Sequence, residues 1–381
     1  MGFREWSLFG SVQSPDSEEK EEQYYVMSQW QLMRLRFLKH RLAVVAGVVL
    51  IFMYAMAAFA GFFTPYDPQE RGSRYMFHPP TVPQFRDEVG NWYLRPFVYG
   101  YQQQIDPVSF LRVYEVDYDE KYPISFFVRG RPYTIFGVFQ SSLRLFGVED
   151  GRIALFGTDQ MGRDLYSRII YGSQISLSVG LVGVAISLFL GIVIGGISGY
   201  YGGVIDLVVQ RVMELLRSFP QIPLWMGLSA ALPDDWTPLQ TYFGITLVLS
   251  VIGWTTVARE VRGKFMSLRG EDFVLAARFS NASERRVIFR HILPSFTSHI
   301  IATISLTIPM MILAETSLSF LGLGLRPPVV SWGVLLRQAQ NIQAVVLYPW
   351  FFVPAFFVII AVLCFNFLGD GLRDAADPYS N

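Results

Sequence analysis

Long charge-free stretches constrain this chain more than any other feature. Leu42–Tyr66 runs 25 residues without an acidic or basic side chain, Ile169–Ile205 runs 37, Trp236–Ala258 runs 23, His291–Ala314 runs 24 and Gln338–Gly369 runs 32. A helix needs about 20 apolar residues to cross a bilayer. Between the second and third stretches, 207–232 carries Arg211, Glu214 and Arg217 in its first half and no charge from Ser218 to Leu232. It reads as a span with one polar end, with a buried core helix as the alternative. The expectation is six spans, near 42–64, 173–198, 207–231, 241–258, 295–320 and 349–369. Composition agrees, with 52% hydrophobic and only 16% charged residues, where soluble domains carry about 25% charged. A disordered chain, a basic nucleic-acid binder and an ordinary cytosolic enzyme are excluded. Basic and acidic residues balance at 31 each, so net charge points to no polyanionic partner.

Orientation follows from Lys and Arg in short loops. The loop 259–290 holds eight basic residues against four acids, which predicts a cytoplasmic face. Six spans then place both termini in the cytoplasm, and Arg34, Arg36, Lys39 and Arg41 before the first span agree. That span reads as an uncleaved anchor rather than a signal peptide, because 41 polar-region residues precede it and a signal's apolar core is about 7–15 residues.

Two segments lie outside the membrane in this reading. Residues 1–27 hold an acidic cluster (Asp16, Glu18, Glu19, Glu21, Glu22) and read as a cytoplasmic tail. Residues 28–40 alternate Trp30, Leu32, Met33, Phe37 and Leu38 with bases, which suits a helix in the membrane interface or a helical extension of the first span. The 102 residues Asp67–Arg168 form an insertion rich in Phe, Tyr and Pro. Val113–Tyr118 alternates with period two, and Ile124–Val128, Arg129–Pro132 and Tyr133–Val138 read as strand, turn and strand. The expectation is a β-rich extracytoplasmic insertion. The domains are thus a tail and interfacial helix (1–41), a first span (42–66), the insertion (67–168), a five-helix membrane domain (169–371) with a cytoplasmic loop at 259–293, and a C-terminal tail (372–381).

No chemistry is visible. The chain lacks a phosphate-cradling Gly-x-x-x-x-Gly-Lys-Ser/Thr loop, and its four histidines show no metal-ligand spacing. Its single cysteine, Cys364, excludes an intrachain disulfide. No catalytic residue and no metal site is expected. The chain moves something, using an energy source held by a gradient or a partner.

The loop carries the most informative pattern. Glu271–Phe279 reads as a short amphipathic helix with Glu271 and Asp272 in its first turn, where the dipole favours acids. Asn281 suits the left-handed residue that closes a helix. Ser283 suits the cap of a second helix, Glu284–His291, and Pro294 suits the opening turn of the fifth span. The small residues Ala276 and Ala277 would let a partner surface come close.

Leu275-Ala276-Ala277, Asn281 and Arg290-His291-Ile292-Leu293-Pro294 resemble the coupling loop of binding-protein-dependent ABC importer permeases, whose pattern is Glu-Ala-Ala, three residues, Gly, nine residues, Ile-x-Leu-Pro. Further motifs resemble the dipeptide/oligopeptide/nickel group, second-subunit type. They are Gly157-Thr158-Asp159-Gln160-Met161-Gly162-Arg163-Asp164, Gly199-Tyr200-Tyr201-Gly202-Gly203 with Asp206, Glu315–Gly324 with Pro327, Pro328, Trp332 and Gly333, and Gly369–Pro378. The family's Glu, Gly and Ile stand here as Leu275, Asn281 and His291.

The resemblance implies an all-α polytopic membrane protein with the type I ABC importer permease fold, in a bacterial inner membrane. It implies a second homologous permease, two ATPase subunits that hold ATP and Mg, and an extracytoplasmic solute-binding protein. The solutes implied are peptides, or else oligosaccharides, opines or nickel. A secondary transporter working alone and a membrane scaffold are the rival classes. Coupling falls to Glu271, Asp272, Leu275, Ala276, Ala277, Asn281, Arg290 and Pro294. Glu315 near the outer end of span five is expected to line a gate or to pair with Arg163 or Arg168; Arg163 and Asp164 are further candidates for the gate or pathway, with stitching of the outer rim of span two as the favoured role. The glycines of span two (Gly183, Gly191, Gly195, Gly196, Gly199) suit a subunit seam or plain close packing.

Overall fold

The computed structural model describes residues 29–376 except 109 and 136, with no side chain described at 29, 30, 298, 343 and 376. The acidic cluster at 16–22 and the last residues of the terminal motif lie outside the described residues.

The described chain opens with α1 (Gln29–Lys39), which stops at His40. His40 is non-helical (φ −83°, ψ 86°), and its Nδ1 accepts the Ala43 N–H at 3.2 Å to start α2 (Arg41–Ala58). Residues 29–39 therefore form a separate helix, not a straight extension of the first span. Past α2, one turn (Ala60–Phe63) leads into the insertion.

Strands β1 (Gln84–Arg86), β2 (Trp92–Ile105) and β3 (Arg112–Pro123) make an antiparallel sheet in that order; β4 (Ser125–Ile135) and β5 (Phe139–Gly147) make a second, two-stranded one. Val98, Ile124 and Ile153 form their small core, flanked by Tyr66, Tyr122 and Phe146. The turn expected at Arg129–Pro132 is not there. Those residues belong to one continuous β4, whose register with β5 shifts between Arg129 and Tyr133, and the chain reverses between Ile135 and Phe139. The reason is long-range. A Cβ on Gly130 would stand 2.5 Å from the Arg144 guanidinium, so the bulge holds a buried side chain from the opposite strand. Pro132, which has no N–H, is tolerated at such an irregularity.

Asp164 caps α3 (Leu165–Tyr201), its Oδ2 accepting the Ser167 N–H at 2.7 Å. The segment 207–231 is not one helix. It is α4 (Gly203–Ser218) and α5 (Gln221–Ala230), parted at Phe219 (φ −84°, ψ 139°) and Pro220. Proline disfavours helical backbone at the residue before it. A capping box at Thr237 and Gln240, with Pro238 in the first turn, opens α6 (Pro238–Leu268). After the loop helix α7 (Asp272–Phe279) come α8 (Thr297–Phe320) and α9 (Val353–Ala376). Among the described residues, five helices are long and apolar enough to cross a membrane: Arg41–Ala58, Leu165–Tyr201, Pro238–Leu268, His299–Phe320 and Pro349–Ala375. The expected C-terminal tail from 372 is still helical to Ala376.

The glycines of α3 serve this chain's own packing. A Cβ at Gly195 would lie 2.4 Å from the Ala258 carbonyl oxygen, and one at Gly199 would lie 2.6 Å from that of Arg262. Backbone thus meets backbone along α3 and α6, the use to which small residues are put between membrane helices. The main core gathers Leu177 of α3, Leu249 of α6, Ile312 of α8, Phe365 of α9 and Trp332.

Candidate functional site

The loop helix α7 is seated from below and open above. Val274 is fully buried and packs with Tyr200, Phe265, Val287 and Ile292, and Ala277 is half-buried against the same cluster. Glu271, Asp272, Leu275 and Ala276 face outward, and Phe279 is 88% exposed. The two alanines therefore differ: Ala276 is available to a partner and Ala277 turns inward. Asn281 closes the helix in the left-handed region, with φ +58°. The Ala282 N–H bonds the Ala277 carbonyl at 3.1 Å and the Asn281 N–H bonds that of Arg278 at 2.9 Å. These are the two bonds of a Schellman closure.

The second loop helix departs from expectation. Ser283 precedes Glu284–Arg286 without a side-chain capping bond. The backbone then widens into a π-turn, Val287–Ile292, in which the Leu293 N–H reaches the Ile288 carbonyl. Pro294 is the physical reason, since it offers no N–H to the carbonyl four residues back. Pro294 opens only the turn Leu293–Ser295. Phe296 breaks the helix (φ −126°, ψ 20°), and α8 starts at Thr297. Arg290 is exposed and His291 half-buried.

The loop is wired to the helices it follows. Asp206, opening α4, takes the Arg262 guanidinium of α6 in a two-pronged pair, with Nη2 at 2.7 Å, and also accepts from the Ser198 hydroxyl of α3. Arg269 donates to the Gly199 and Tyr200 carbonyls at 3.3 Å. The Arg278 guanidinium lies 4.9 Å from the Tyr200 ring centre, and Tyr201 donates to Glu284 at 2.8 Å.

Glu315 is fully buried. Its carboxyl accepts the hydroxyls of Ser319 and Ser331 at 2.8 Å and of Ser176 at 3.2 Å. Ser176 in turn accepts the Trp332 N–H, Ser319 accepts that of Leu325, and Ser331 accepts that of Val334. Glu315 thus joins α3, α8 and the segment Ser331–Leu336 that folds back over them. Gly333 permits that return, because a Cβ there would lie 2.7 Å from the Thr316 carbonyl.

Neither Arg163 nor Arg168 pairs with Glu315, contrary to expectation. Both pair with Asp159, which is itself fully buried. Arg163 reaches its Oδ2 through Nε and Nη2 at 2.7 Å, and Arg168 through Nη1. The Met161 and Arg163 N–H groups bond Asp159 Oδ1 at 2.8 and 3.0 Å. This carboxylate is nearer along the chain and collects two cations, whereas Glu315 is already filled by hydroxyls. Burial pushes the Asp164 carboxyl up to about 6. Thr158 bonds the Tyr75 carbonyl and accepts the His78 N–H, and its carbonyl takes the Trp350 indole N–H at 3.1 Å. The 157–164 motif therefore clamps α3 to the insertion and to the start of α9.

Asp159 and Asp206 stand within motifs but were not singled out by sequence reasoning. A carboxylate followed at four and nine residues by Arg is the signal that exposes the first. Also unforeseen is a groove of about 370 Å³ between α5, α6 and α8, lined by Trp225, Thr256, Glu260, His299, Thr303 and Met310. Thr303 donates to Glu260 at 2.6 Å there.

Residues 191–379 match a family model described as binding-protein-dependent transport system inner membrane component, and residues 28–80 match one described as the N-terminal TM domain of oligopeptide transport permease C. The five strands all fall between the two matches. The oligopeptide transport system permease protein OppC of Haemophilus influenzae is 42% identical over 224 residues, spanning 58% of this chain and 70% of the relative. OppC of Bacillus subtilis is 37% identical over 224 residues (58% and 71%). The dipeptide transport system permease protein DppC of Bacillus subtilis is 39% identical over 225 residues (58% and 68%). With its loop and the Glu315 motif inside the matched region, the chain belongs to the family of binding-protein-dependent transport system inner membrane components.

Proposed function

We propose that this chain is one of two permease subunits of an ABC importer for peptides. The observation that carries this reading is α7. It is a short helix anchored by Val274 on the ends of α3 and α6, closed rigidly at Asn281, and presenting Leu275 and Ala276 outward. Such a helix transmits a push on its outer face to the membrane helices. Two partner ATPases, holding ATP and Mg, supply that push; this chain contributes no catalytic group. ATP binding stabilises one of two helix arrangements over the other, and the pathway alternates with it. A homologous permease completes the path, and a solute-binding protein delivers from outside.

In this reading α4 and α5 together make the sixth crossing, bent at Pro220. The loop and both termini face the cytoplasm, and the β-rich insertion faces out. Solute follows the groove beside Trp225 and Met310. The peptide assignment follows the relatives' names, and oligosaccharides, opines or nickel are the competing cargoes.

Two measurements test it. Purification of the tagged chain should bring a homologous permease and two ATPases, and the assembly should take up labelled peptides into vesicles. Gln103→Cys in a Cys364→Ser background should react with an impermeant reagent from outside. Isolation without ATPases would return the chain to the secondary-transporter class, and labelling only in inverted vesicles would reverse the topology.

A further inference from the structure

The β4–β5 hairpin packs on the turn Ala60–Phe63 that follows α2. Arg144, near its base, donates to the Thr64 carbonyl at 2.7 Å. Further along, the Tyr133 ring lies flat on Gly61, where a Cβ would be only 2.1 Å from it. Further still, Ile135 and Gly137 line a groove with Tyr54 and Ala57 of α2 and Leu177 and Leu181 of α3. From contacts at Thr64 and Gly61 the hairpin reaches a groove that it shares with Ala57 and Tyr54, so it runs back toward the membrane that α2 has just left.

We infer that the hairpin tip inserts into the outer leaflet and that the groove behind it holds a phospholipid acyl chain. The groove measures about 530 Å³, within the range of about 300–1,000 Å³ typical of small-ligand sites. Its α3 wall runs from Tyr171 to Leu181, about 15 Å of helix at 1.5 Å per residue. That is half of a hydrocarbon core about 30 Å thick, a depth at which water is not available to fill it. The tip is built for this medium. Residues 132–143 carry no charge, while Arg129, Arg131 and Arg144 bracket them. Val138 is 74% exposed and Phe139 68%, and the aromatic and basic residues above them suit the headgroup level. Gly137 turns the tip at φ +70° with open space around it.

The test uses the importer assembled with its partner subunits in vesicles of phosphatidylethanolamine and phosphatidylglycerol. A spin label on Val138→Cys, in the Cys364→Ser background, should show an oxygen-to-nickel-chelate accessibility ratio several-fold above that of the Gln103→Cys control. A photoreactive acyl-chain phosphatidylethanolamine should crosslink to peptides spanning 133–139 and 177–181. A ratio equal to the control puts the tip in water and overturns the inference. A label shielded from both reagents puts a protein partner in the groove and also overturns it. Crosslinks confined to the exposed face of α2 at Ile51 and Phe52 would show the groove free of lipid and would overturn it as well.

Discussion

Asn281 offers a clean test because only its backbone conformation is at stake. Its side chain is exposed, and its φ of +58° is left-handed. An ordinary L-residue held there costs roughly 1–2 kcal/mol, and Asn is among the few that adopt it readily. Asn281→Ala should therefore weaken the closure by about 1 kcal/mol, about a fivefold rise in the opening equilibrium. Asn281→Gly removes the Cβ penalty but adds about 0.5–1 kcal/mol of chain entropy to be lost, so it should stay near wild type. Asn281→Val should be worst, since a β-branched side chain tolerates positive φ least. The readout is amide hydrogen exchange at positions 281 and 282, whose N–H groups make the two closing bonds at 2.9 and 3.1 Å. In the assembled importer, peptide uptake per ATP hydrolysed should follow the same order. If the Ala and Gly variants exchange alike, positive φ is not the constraint, and the argument that Asn replaces the family's Gly by backbone geometry is refuted.

Asp159→Asn should destabilise the chain by about 3–5 kcal/mol, because Arg168 and Arg163 are left buried beside a neutral group; an unchanged thermal midpoint in micelles would refute the clamp. His78 should confer acid lability. Burial lowers its pKa to about 4 from 6.5, so its contribution is complete above pH 6.5 and is lost as pH falls toward 4, roughly 3 kcal/mol in all. His78→Phe should flatten thermal stability across that window. Ala276→Trp should release the ATPases while leaving the fold intact, Ala277→Trp should loosen α7 itself, and the exposed Leu275→Glu should be tolerated; pull-down of the ATPases together with exchange at α7 separates the three.

Local features were legible in the sequence. The spans announce themselves because the bilayer demands length and apolarity whatever the neighbours are. The left-handed closure at Asn281 is set by the residues beside it, whereas the cap that Asp164 makes on α3 was not anticipated. Pro220 also marked the break between α4 and α5, though the apolar stretch around it concealed the break. What escaped was decided at a distance. Ser176 and Ser331 lie 139 and 16 residues from Glu315, and a serine gives no sign of the carboxyl it will meet. Arg129–Pro132 carries turn chemistry, yet Arg144 across the sheet turns it into a bulge. The glycines of α3 could have served a seam between subunits, and only the position of α6 shows that they are used at home.

The serine-ringed Glu315 also limits how the molecule can move. To slide α8 against α3 at that level, the Ser176–Glu315 bond would have to part in a fully buried site, together with the Ser331 and Trp332 bonds that tie the fold-back segment to the two helices. An ordinary hydrogen bond is worth about 0.5–1.5 kcal/mol net, and a buried polar group left without its partner costs about 1–3 kcal/mol. The ends of α3 and α8 beside the fold-back segment therefore travel as one block, the stator against which anything else must turn. Bending is left to places where the backbone ladder is already interrupted. Along α8 these are Pro309, inside the helix, and the Phe296 break with its π-turn beside the loop. Under the proposed coupling, a push on α7 would enter at the second and fade at the first, which would confine the stroke to the half of the bundle nearer the loop.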